Sequence, residues 1–251
     1  MQFFIFLFLI SASLSVGAST IEEIVVTADL KEKRDINIAS SVFVVSEDAI
    51  AARGATHLED VINTIPNLNF ASGSNRPRFF QIRGVGERSQ FGSPVNASVG
   101  FLVDDIDFSG AGTIASMLDV EQIEVLRGPQ GTRYGASALG GLIKVKTKDP
   151  NPEQELELKI TYGQYATQAF HLIINTPVSN QLLLRAAFSD HESDGYMYNQ
   201  FLDRDDANGR DESTSRIKMR WLPTNSWVAV SYTHLTLPTN RECRSRWSPY
   251  H

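Results

Sequence analysis

The chain has 251 residues, with 29 acidic and 23 basic side chains, a formal net charge of -6 and one cysteine. This acidic balance argues against nucleic-acid binding, because neutralising phosphates requires a clustered surplus of Lys and Arg. One cysteine excludes an internal disulfide and a zinc site built from several thiolates. Hydrophobic residues make up 42% of the chain, which is too large a share for a wholly disordered protein.

The first 18 residues carry no charged side chain, and an apolar run from Phe3 to Ile10 is followed by small residues. The run is shorter than the roughly 20 apolar residues of a transmembrane helix. Its length and the small residues after it are typical of a secretory signal, although Met1-Gln2 lacks the usual basic residue. We therefore predict a signal peptide over 1–18, and any later membrane crossing has to use strands.

Residues 19–35 join a β-branched stretch, Ile21 to Ala28, to a charged stretch, Asp29 to Asp35. High β-propensity followed by charge describes a detachable strand on a flexible tether. It describes equally well a first strand that packs into the next domain. The pattern alone leaves both interpretations open.

Residues 36–149 have the pattern of a compact mixed α/β unit with long loops, notably 71–92. One predicted helix begins at Thr56, with Glu59 completing a capping box, and ends before Pro66. We expect short strands at Val42 to Val45, Phe79 to Arg83, Val99 to Val103, Gln122 to Leu126 and Leu142 to Thr147.

Residues 150–233 alternate between apolar and polar side chains, most strictly from Glu155 to Tyr162. Such strands separate two different solvents. The short connections at 176–180 and 223–226 fall on one side and the long acidic connection at 190–212 on the other, as in outer-membrane barrels. A soluble β-sandwich, whose strands also alternate, is the alternative.

Several segments resemble the signatures of TonB-dependent outer-membrane receptors, and their order agrees as well. The segments are Glu22 to Ala28, Ile82-Arg83-Gly84, Val103 to Ile106, Ile123 to Gly135 and Gly140 to Ile143. The resemblance implies an α+β plug domain followed by the first antiparallel strands of a large transmembrane β-barrel of about 22 strands. A barrel of that width encloses an aqueous lumen and has to be plugged.

The family resemblance also implies partners and a location. TonB, energised at the inner membrane, would bind the first segment, outer-membrane lipid would surround the barrel, and no cofactor is expected. The protein would import a scarce solute, such as a ferric siderophore, across the outer membrane of a Gram-negative bacterium, with the plug facing the periplasm. The implied TonB-binding residues are Glu22, Glu23, Ile24, Val25, Val26, Thr27 and Ala28.

Two further groups of residues follow from the resemblance. The plug motifs contain Arg83, Gly84, Glu124, Arg127, Gly128, Pro129, Gly131, Gly135, Gly140 and Gly141, and we expect the two arginines to hold plug loops or reach carboxylates in the barrel lumen, with Glu124 a possible partner. Exposed loops are candidates for contact with an anionic chelate. Their residues are Arg76, Arg78, Arg88, Gln90, Phe91, Phe108 and Ser109.

The sequence shows no motif that we can assign to an enzyme. The segment from Gly84 to Ser89 has two glycines but lacks the third glycine of a dinucleotide-binding motif. The segment from Gly135 to Gly141 has the glycine spacing of a phosphate-binding loop but is not followed by the required Lys and Ser or Thr. The five histidines show no metal-ligand spacing. We predict no catalytic site and no metal site, and the competing hypothesis is a secreted, soluble β-rich binding or adhesion module.

The last part of the chain departs from the strand pattern. Residues 149–251 are too few for about 22 strands of about 10 residues each. Alternation stops near Ser231, and the sequence from there resembles translated cloning adapter. We therefore expect a truncated receptor with a non-native tail over 234–251.

Overall fold

The computed structural model describes residues 25–26, 33–34, 41–71, 77–88, 97–109, 116–200, 203–207, 209–224 and 227–238. The predicted signal peptide and residues 239–251 of the predicted tail lie outside these ranges. Within them, no helix is long and apolar enough to cross a membrane.

The amino-terminal domain is built around one mixed sheet with the strand order β3-β8-β9-β6-β7, in which β6 and β9 run parallel. A separate hairpin pairs β4 with β5, and β1 pairs with β2. The strands are β1 (Val25–Val26), β2 (Lys33–Arg34), β3 (Ser41–Ser46), β4 (Leu68–Ala71), β5 (Phe79–Ile82), β6 (Val99–Val103), β7 (Ile106–Asp107), β8 (Val120–Arg127) and β9 (Gly141–Thr147); the helices are α1 (Glu47–Ala52), α2 (Glu59–Ile62) and α3 (Gly131–Tyr134).

The core of this domain lies on one face of the mixed sheet. Alternate residues of the central strands, such as Ile123, Val125 and Ile143, point into it and are fully buried. Helices α1 and α2 and the β4–β5 hairpin supply the other side of the core. All five strands predicted from the sequence are confirmed, with ends that differ by a few residues.

The predicted helix begins later than expected. α2 starts at Glu59, and its N-cap residue, Leu58, makes no side-chain capping bond; the Asp60 carboxylate accepts hydrogen bonds from the amides of Thr56 (2.9 Å) and His57 (3.1 Å), which precede the helix. The predicted capping box through Glu59 is therefore wrong, because the Glu59 carboxylate forms an ion pair with Arg210 at 2.9 Å instead.

The carboxyl-terminal sheet is antiparallel, with the order β10-β11-β12-β15-β16. A small hairpin, β13 with β14, lies between β12 and β15. The strands are β10 (Glu155–Tyr162), β11 (Gln168–Ser179), β12 (Leu182–Ser193), β13 (Met197–Asn199), β14 (Arg204–Ala207), β15 (Arg210–Thr224) and β16 (Trp227–Pro238).

The strands of this sheet are longer than the sequence pattern suggested. β11 continues to Ser179, so the turn to β12 consists only of residues 180–181. The long loop predicted over 190–212 is shorter than expected, because β12 reaches Ser193 and β15 begins at Arg210. β16 continues to Pro238, beyond the expected boundary at 233. Its pairing places Ser231 and Thr233 opposite Met219 and Ile217, so polar residues enter the otherwise apolar face there.

The two faces of the carboxyl-terminal sheet differ in chemistry. The inner face contacts the amino-terminal domain and buries Asn175, Arg185, Arg216 and Lys218. The outer face exposes large apolar side chains, including Leu156, Leu158, Ile160, Ile217, Met219 and Trp221. The predicted alternation is therefore confirmed, and the amino-terminal domain lies against the polar face.

Candidate functional site

Three of the predicted plug motifs meet where β5, β8 and β9 converge. The amide of Gly128 donates to the carbonyl of Gly140 at 3.2 Å, which joins the end of β8 to the start of β9. Gly141 has φ +153°, and a Cβ there would lie 2.6 Å from Ile82 Cδ1 and 2.6 Å from the Leu126 carbonyl oxygen. Only glycine allows this approach, so these motifs hold the hairpin against the sheet.

The motif arginines do not contact the barrel-like sheet in the part of the chain that is described. Arg127 donates from Nη1 to Ser41 Oγ at 3.5 Å, and its guanidinium lies 5.7 Å from the ring centroid of Phe43. It therefore ties β8 to the edge strand β3. Arg83 is exposed at φ +53°, with its amide bonded to the Asn67 carbonyl at 2.9 Å.

The remaining motif residues have local roles. Glu124 is fully buried and accepts a hydrogen bond from Gln122 Nε2 at 2.6 Å. Pro129 and Gly131 lead into α3, and Gly135 ends it at φ +79°. Arg127 therefore has the first of its two expected roles, holding parts of the plug together, and a pair between a motif arginine and a carboxylate of the barrel stays a prediction.

The predicted TonB-binding segment is packed rather than free at the positions described. Val25 and Val26 pair with Arg34 and Lys33. Val26 is 0% exposed and packs with a second apolar cluster. The structure thus agrees with the packed-strand interpretation, while Glu22, Glu23, Ile24, Thr27 and Ala28 lie outside the described residues.

Four of the predicted solute-contact residues lie within the described ranges: Arg78, Arg88, Phe108 and Ser109. Arg78 and Arg88 are exposed, but Arg78 precedes β5 and Arg88 follows its other end. Phe108 is half-buried against the core, and Ser109 Oγ accepts from the Phe101 amide at 3.0 Å, so both have structural roles. Arg76, Gln90 and Phe91 lie outside the described residues.

The strongest polar contacts join the two domains, and the sequence interpretation missed them. Arg185 on β12 makes a bidentate ion pair with Asp119, with Nε to Oδ2 at 2.7 Å and Nη2 to Oδ1 at 2.6 Å. Its third nitrogen, Nη1, donates to Glu155 Oε2 at 2.8 Å. Both partners of the first pair are at most 3% exposed, so this is a buried, charge-assisted contact.

A second buried cation, Lys218 on β15, contacts three oxygens of the amino-terminal domain. Its Nζ lies 3.1 Å from Asp104 Oδ1, 3.1 Å from Asp149 Oδ1 and 2.9 Å from the Thr147 carbonyl oxygen. Thr147 also donates to Asp104 through its amide (2.8 Å) and its hydroxyl (2.6 Å). Every polar group in this small cluster is therefore satisfied.

The electrostatics of Asp104 reflect these contacts. Burial by itself raises the pKa of the Asp104 carboxyl, but the charge of Lys218 and the hydrogen bonds from Thr147 outweigh burial. The pKa of Asp104 therefore lies below its ordinary value of 3.8. At neutral pH the carboxylate is ionised and paired.

A third buried contact involves Arg216, in addition to the partly exposed ion pair between Arg210 and Glu59. Arg216 Nη1 donates to the Leu118 carbonyl at 2.5 Å, and the Leu118 side chain packs with Ile173 and Ala187 of the sheet. We call the group Asp104, Asp119, Arg185, Arg216 and Lys218 the seat. A signal for its cations existed in the sequence, since Arg216 and Lys218 alternate with apolar residues, but nothing in the sequence identified their partners.

A cavity of about 240 Å³ lies beside the seat, between α1 and the inner face of the sheet. Its wall on the sheet side is polar, with Lys159, His171, Ser189 and Thr214. On the other side, it is lined by small residues in and after α1, including Ala51, Gly54 and Ala55. The described residues contain no group of three or more His, Cys, Asp or Glu side chains that could hold a metal ion.

Comparison with known proteins places these features in a family. A family model described as the TonB-dependent receptor plug domain matches residues 34–142. The pesticin receptor of Yersinia enterocolitica is 30% identical over 232 residues, which are 90% of this chain and 32% of that receptor. The vitamin B12 transporter BtuB of Vibrio vulnificus is 25% identical, over 91% of this chain and 37% of the transporter.

A solved structure agrees with the fold as well. The ferric yersiniabactin uptake receptor FyuA from Yersinia pestis superposes with a TM-score of 0.68 and 27% identity, over 78% of this chain and 31% of the receptor. The chain spans about a third of the length of the curated relatives that it matches. The amino-terminal domain and the antiparallel strands after it therefore correspond to one end of these longer proteins.

Proposed function

We propose that this chain is the amino-terminal part of an outer-membrane importer, because residues 34–142 match the plug domain of TonB-dependent receptors and the strands that follow match the solved structure of such a receptor. The observation that carries the proposal is the placement of the plug on the polar, inner face of a sheet whose other face is apolar. A plug that closes a lumen has to lie on that face. The soluble adhesion module is disfavoured, because its sheet would leave the exposed row Leu156, Leu158 and Ile160 in water.

The proposed partner is TonB, which binds residues 22–28 and supplies work that the outer membrane cannot supply. A β-branched segment near the amino terminus suits strand addition, since main-chain hydrogen bonds give strength along a pull. Val26 has to leave its buried position first. Exposing one such side chain costs about 1.5–3 kcal/mol, which is small beside the stability of a domain.

The proposed solute is a scarce, iron-carrying chelate. Support comes from the similarity to the ferric yersiniabactin uptake receptor, and the similarity to a vitamin B12 transporter makes cobalamin the second candidate. Exposed Arg78 and Arg88 suit an anionic ligand. The plug then has to move or rearrange inside the barrel to let the bound solute pass.

Deleting residues 21–28 from the full-length receptor tests this function. We expect the deletion to abolish uptake of iron chelates while the purified receptor binds them as before, because the segment transmits force and does not contact the solute. Radiolabelled uptake by cells, alongside binding to isolated outer membranes, gives both quantities. Uptake at the wild-type rate would rule out the proposed energy transfer.

A single substitution probes the proposed strand addition directly. Val25→Pro removes an amide donor and should weaken binding to the TonB carboxyl-terminal domain. Val25→Thr keeps the donor and a β-branched side chain, so it serves as the matched control. Calorimetry with the purified domain would contradict the mechanism if both variants bound equally well.

A further inference from the structure

The side chains of the inner face form rows across the strands, and the rows differ in what they contact. The rows through Arg185–Lys218 and Ala187–Arg216 touch the plug directly. The next row, through Ser189 and Thr214, faces the cavity. The seat therefore lies between the cavity and the turn at 180–181.

On the plug side of the junction, too, some residues contact the sheet directly and others face the cavity. Leu118 and Asp119 contact the cations of the seat and also line the cavity, so these two residues form the end of the cavity. Beyond them, α1 presents small residues to the sheet across open space, and a Cβ built on Gly54 would meet no atom within 4 Å. The buried ion pairs with the sheet therefore lie at the seat, α1 leaves open space, and the partly exposed pair of Arg210 with Glu59 lies elsewhere along the cavity.

The contacts of the seat are ionic and buried, and the open space beside it is polar. The side chains of Asp104, Asp119, Arg185 and Lys218 are each nearly inaccessible to solvent. In the described residues, apolar contact across the junction includes Leu118 with Ile173 and Ala187, and the Phe108 ring, whose centroid lies 6.0 Å from that of His234. Two buried ion pairs thus separate the cavity from the end of the sheet nearest the turn.

We propose that the seat is a seal, which closes the polar cavity between α1 and the barrel wall, and that hydrophilic solutes pass along this side of the plug only when its ion pairs separate. The inference rests on the proposed transport function and adds where the plug opens. The cavity, at about 240 Å³, is smaller than the roughly 300–1,000 Å³ of pockets for drug-sized ligands. Opening the seal alone should therefore admit small solutes and exclude large ones.

Liposome swelling with the purified full-length receptor tests the seal without TonB or ligand. The test variant combines Arg185→Gln with Lys218→Gln and leaves Asp119 and Asp104 without these cations. The matched control combines Lys144→Gln with Lys146→Gln, which removes two charges from ion pairs made within the plug, to Asp105 (2.7 Å) and Glu121 (2.8 Å). Influx of a pentose and of maltoheptaose is compared for each protein.

We expect pentose influx through the test variant to rise by at least about tenfold, because each buried pair that is broken shifts the closed-to-open ratio by that much or more. Maltoheptaose should stay excluded, and the control should match the wild type.

Three results would overturn the seal. Unchanged pentose influx would mean that the ion pairs do not close the cavity. Equal entry of both sugars would mean that the plug leaves as a whole, and a leaky control would mean that any loss of plug charge suffices. If the double variant does not assemble, Asp104→Asn weakens the Lys218 contact alone without changing the barrel, and unchanged pentose influx through it would count against the seal in the same way. Since no TonB is present, these results are independent of the uptake experiment.

Discussion

Asp104 and Asp119 combine a buried ion pair with an uncommon backbone conformation. Their φ angles are +49° and +54°, in the left-handed region that Asp tolerates better than most residues. Each lies in a turn next to a strand, and its carboxylate forms an ion pair with a cation of the carboxyl-terminal sheet. A side chain that lacks the negative charge would lose the ion pair, and one that does not tolerate a positive φ would also strain the backbone, so both effects would weaken the seat.

The lowered pKa of Asp104 predicts how the stability of the seat depends on pH. Since the folded pKa lies below 3.8, the stability that the pair contributes is fully present above about pH 4 and is lost as the pH falls through the folded value. We expect Asp104→Asn to destabilise the plug by about 1.5–3 kcal/mol at pH 7, because Lys218 loses one charged partner and keeps only Asp149 and the Thr147 carbonyl.

Guanidinium unfolding of wild type and Asp104→Asn at pH 7, 5 and 3 would measure this. The difference between the two proteins should be equal at pH 7 and 5 and should shrink at pH 3. A difference that stays constant down to pH 3 would show that the Asp104 charge does not stabilise the folded state.

At the scale of elements, the two faces of each barrel strand face different surroundings. β10 exposes Leu156, Leu158 and Ile160 on the outer face, and the proposed surroundings there are lipid. Glu155, Glu157, Lys159 and Thr161 occupy the inner face of the same strand, by alternation. A charge should therefore be tolerated on one face and not on the other.

A pair of arginine substitutions on β10 tests this difference. Leu158→Arg places a charge near the middle of the strand on the outer face, at a cost of about 2–4 kcal/mol in the bilayer midplane. Thr161→Arg makes the same change on the inner face and should be tolerated. Heat-modifiable migration of the full-length receptor in outer membranes reports the assembled fraction, and equal loss in both variants would argue against lipid on the outer face.

At the scale of the whole molecule, the carboxyl-terminal sheet is open in the part of the chain that is described. β10 and β16 form its two edges, and no described strand pairs with their free sides. Unpaired backbone groups cost several kcal/mol each in hydrocarbon. A sheet with such edges is stable in a membrane only when further strands complete it.

This geometry predicts how the 251-residue chain behaves by itself. In detergent we expect it to associate through the edges of β10 and β16 instead of forming a monomeric barrel. Size-exclusion chromatography with light scattering would show species larger than one chain, whereas the full-length receptor would run as a monomer. A monodisperse single chain would contradict the prediction.

Local pattern was sufficient for much of the fold. The strands of the carboxyl-terminal sheet followed from alternation, because a period of two residues depends only on near neighbours and on which side is apolar. The ends of these strands did not follow, since cross-strand pairing extends β11 to Ser179 and β12 to Ser193. The predicted capping of α2 by Glu59 was also wrong, because Glu59 forms an ion pair with Arg210 on a strand that is distant in sequence.

By itself, the sequence determined the order of segments, the two-faced strands and the plug motifs with their glycines, all of which depend on short stretches of chain. Only the tertiary structure decided that the buried cations lie on the sheet and the acids on the plug, and that Val26 is packed. Arg185 and Asp119 are 66 residues apart, so their pairing exists only after the two domains have docked. No local property of either residue specifies which opposite charge it meets.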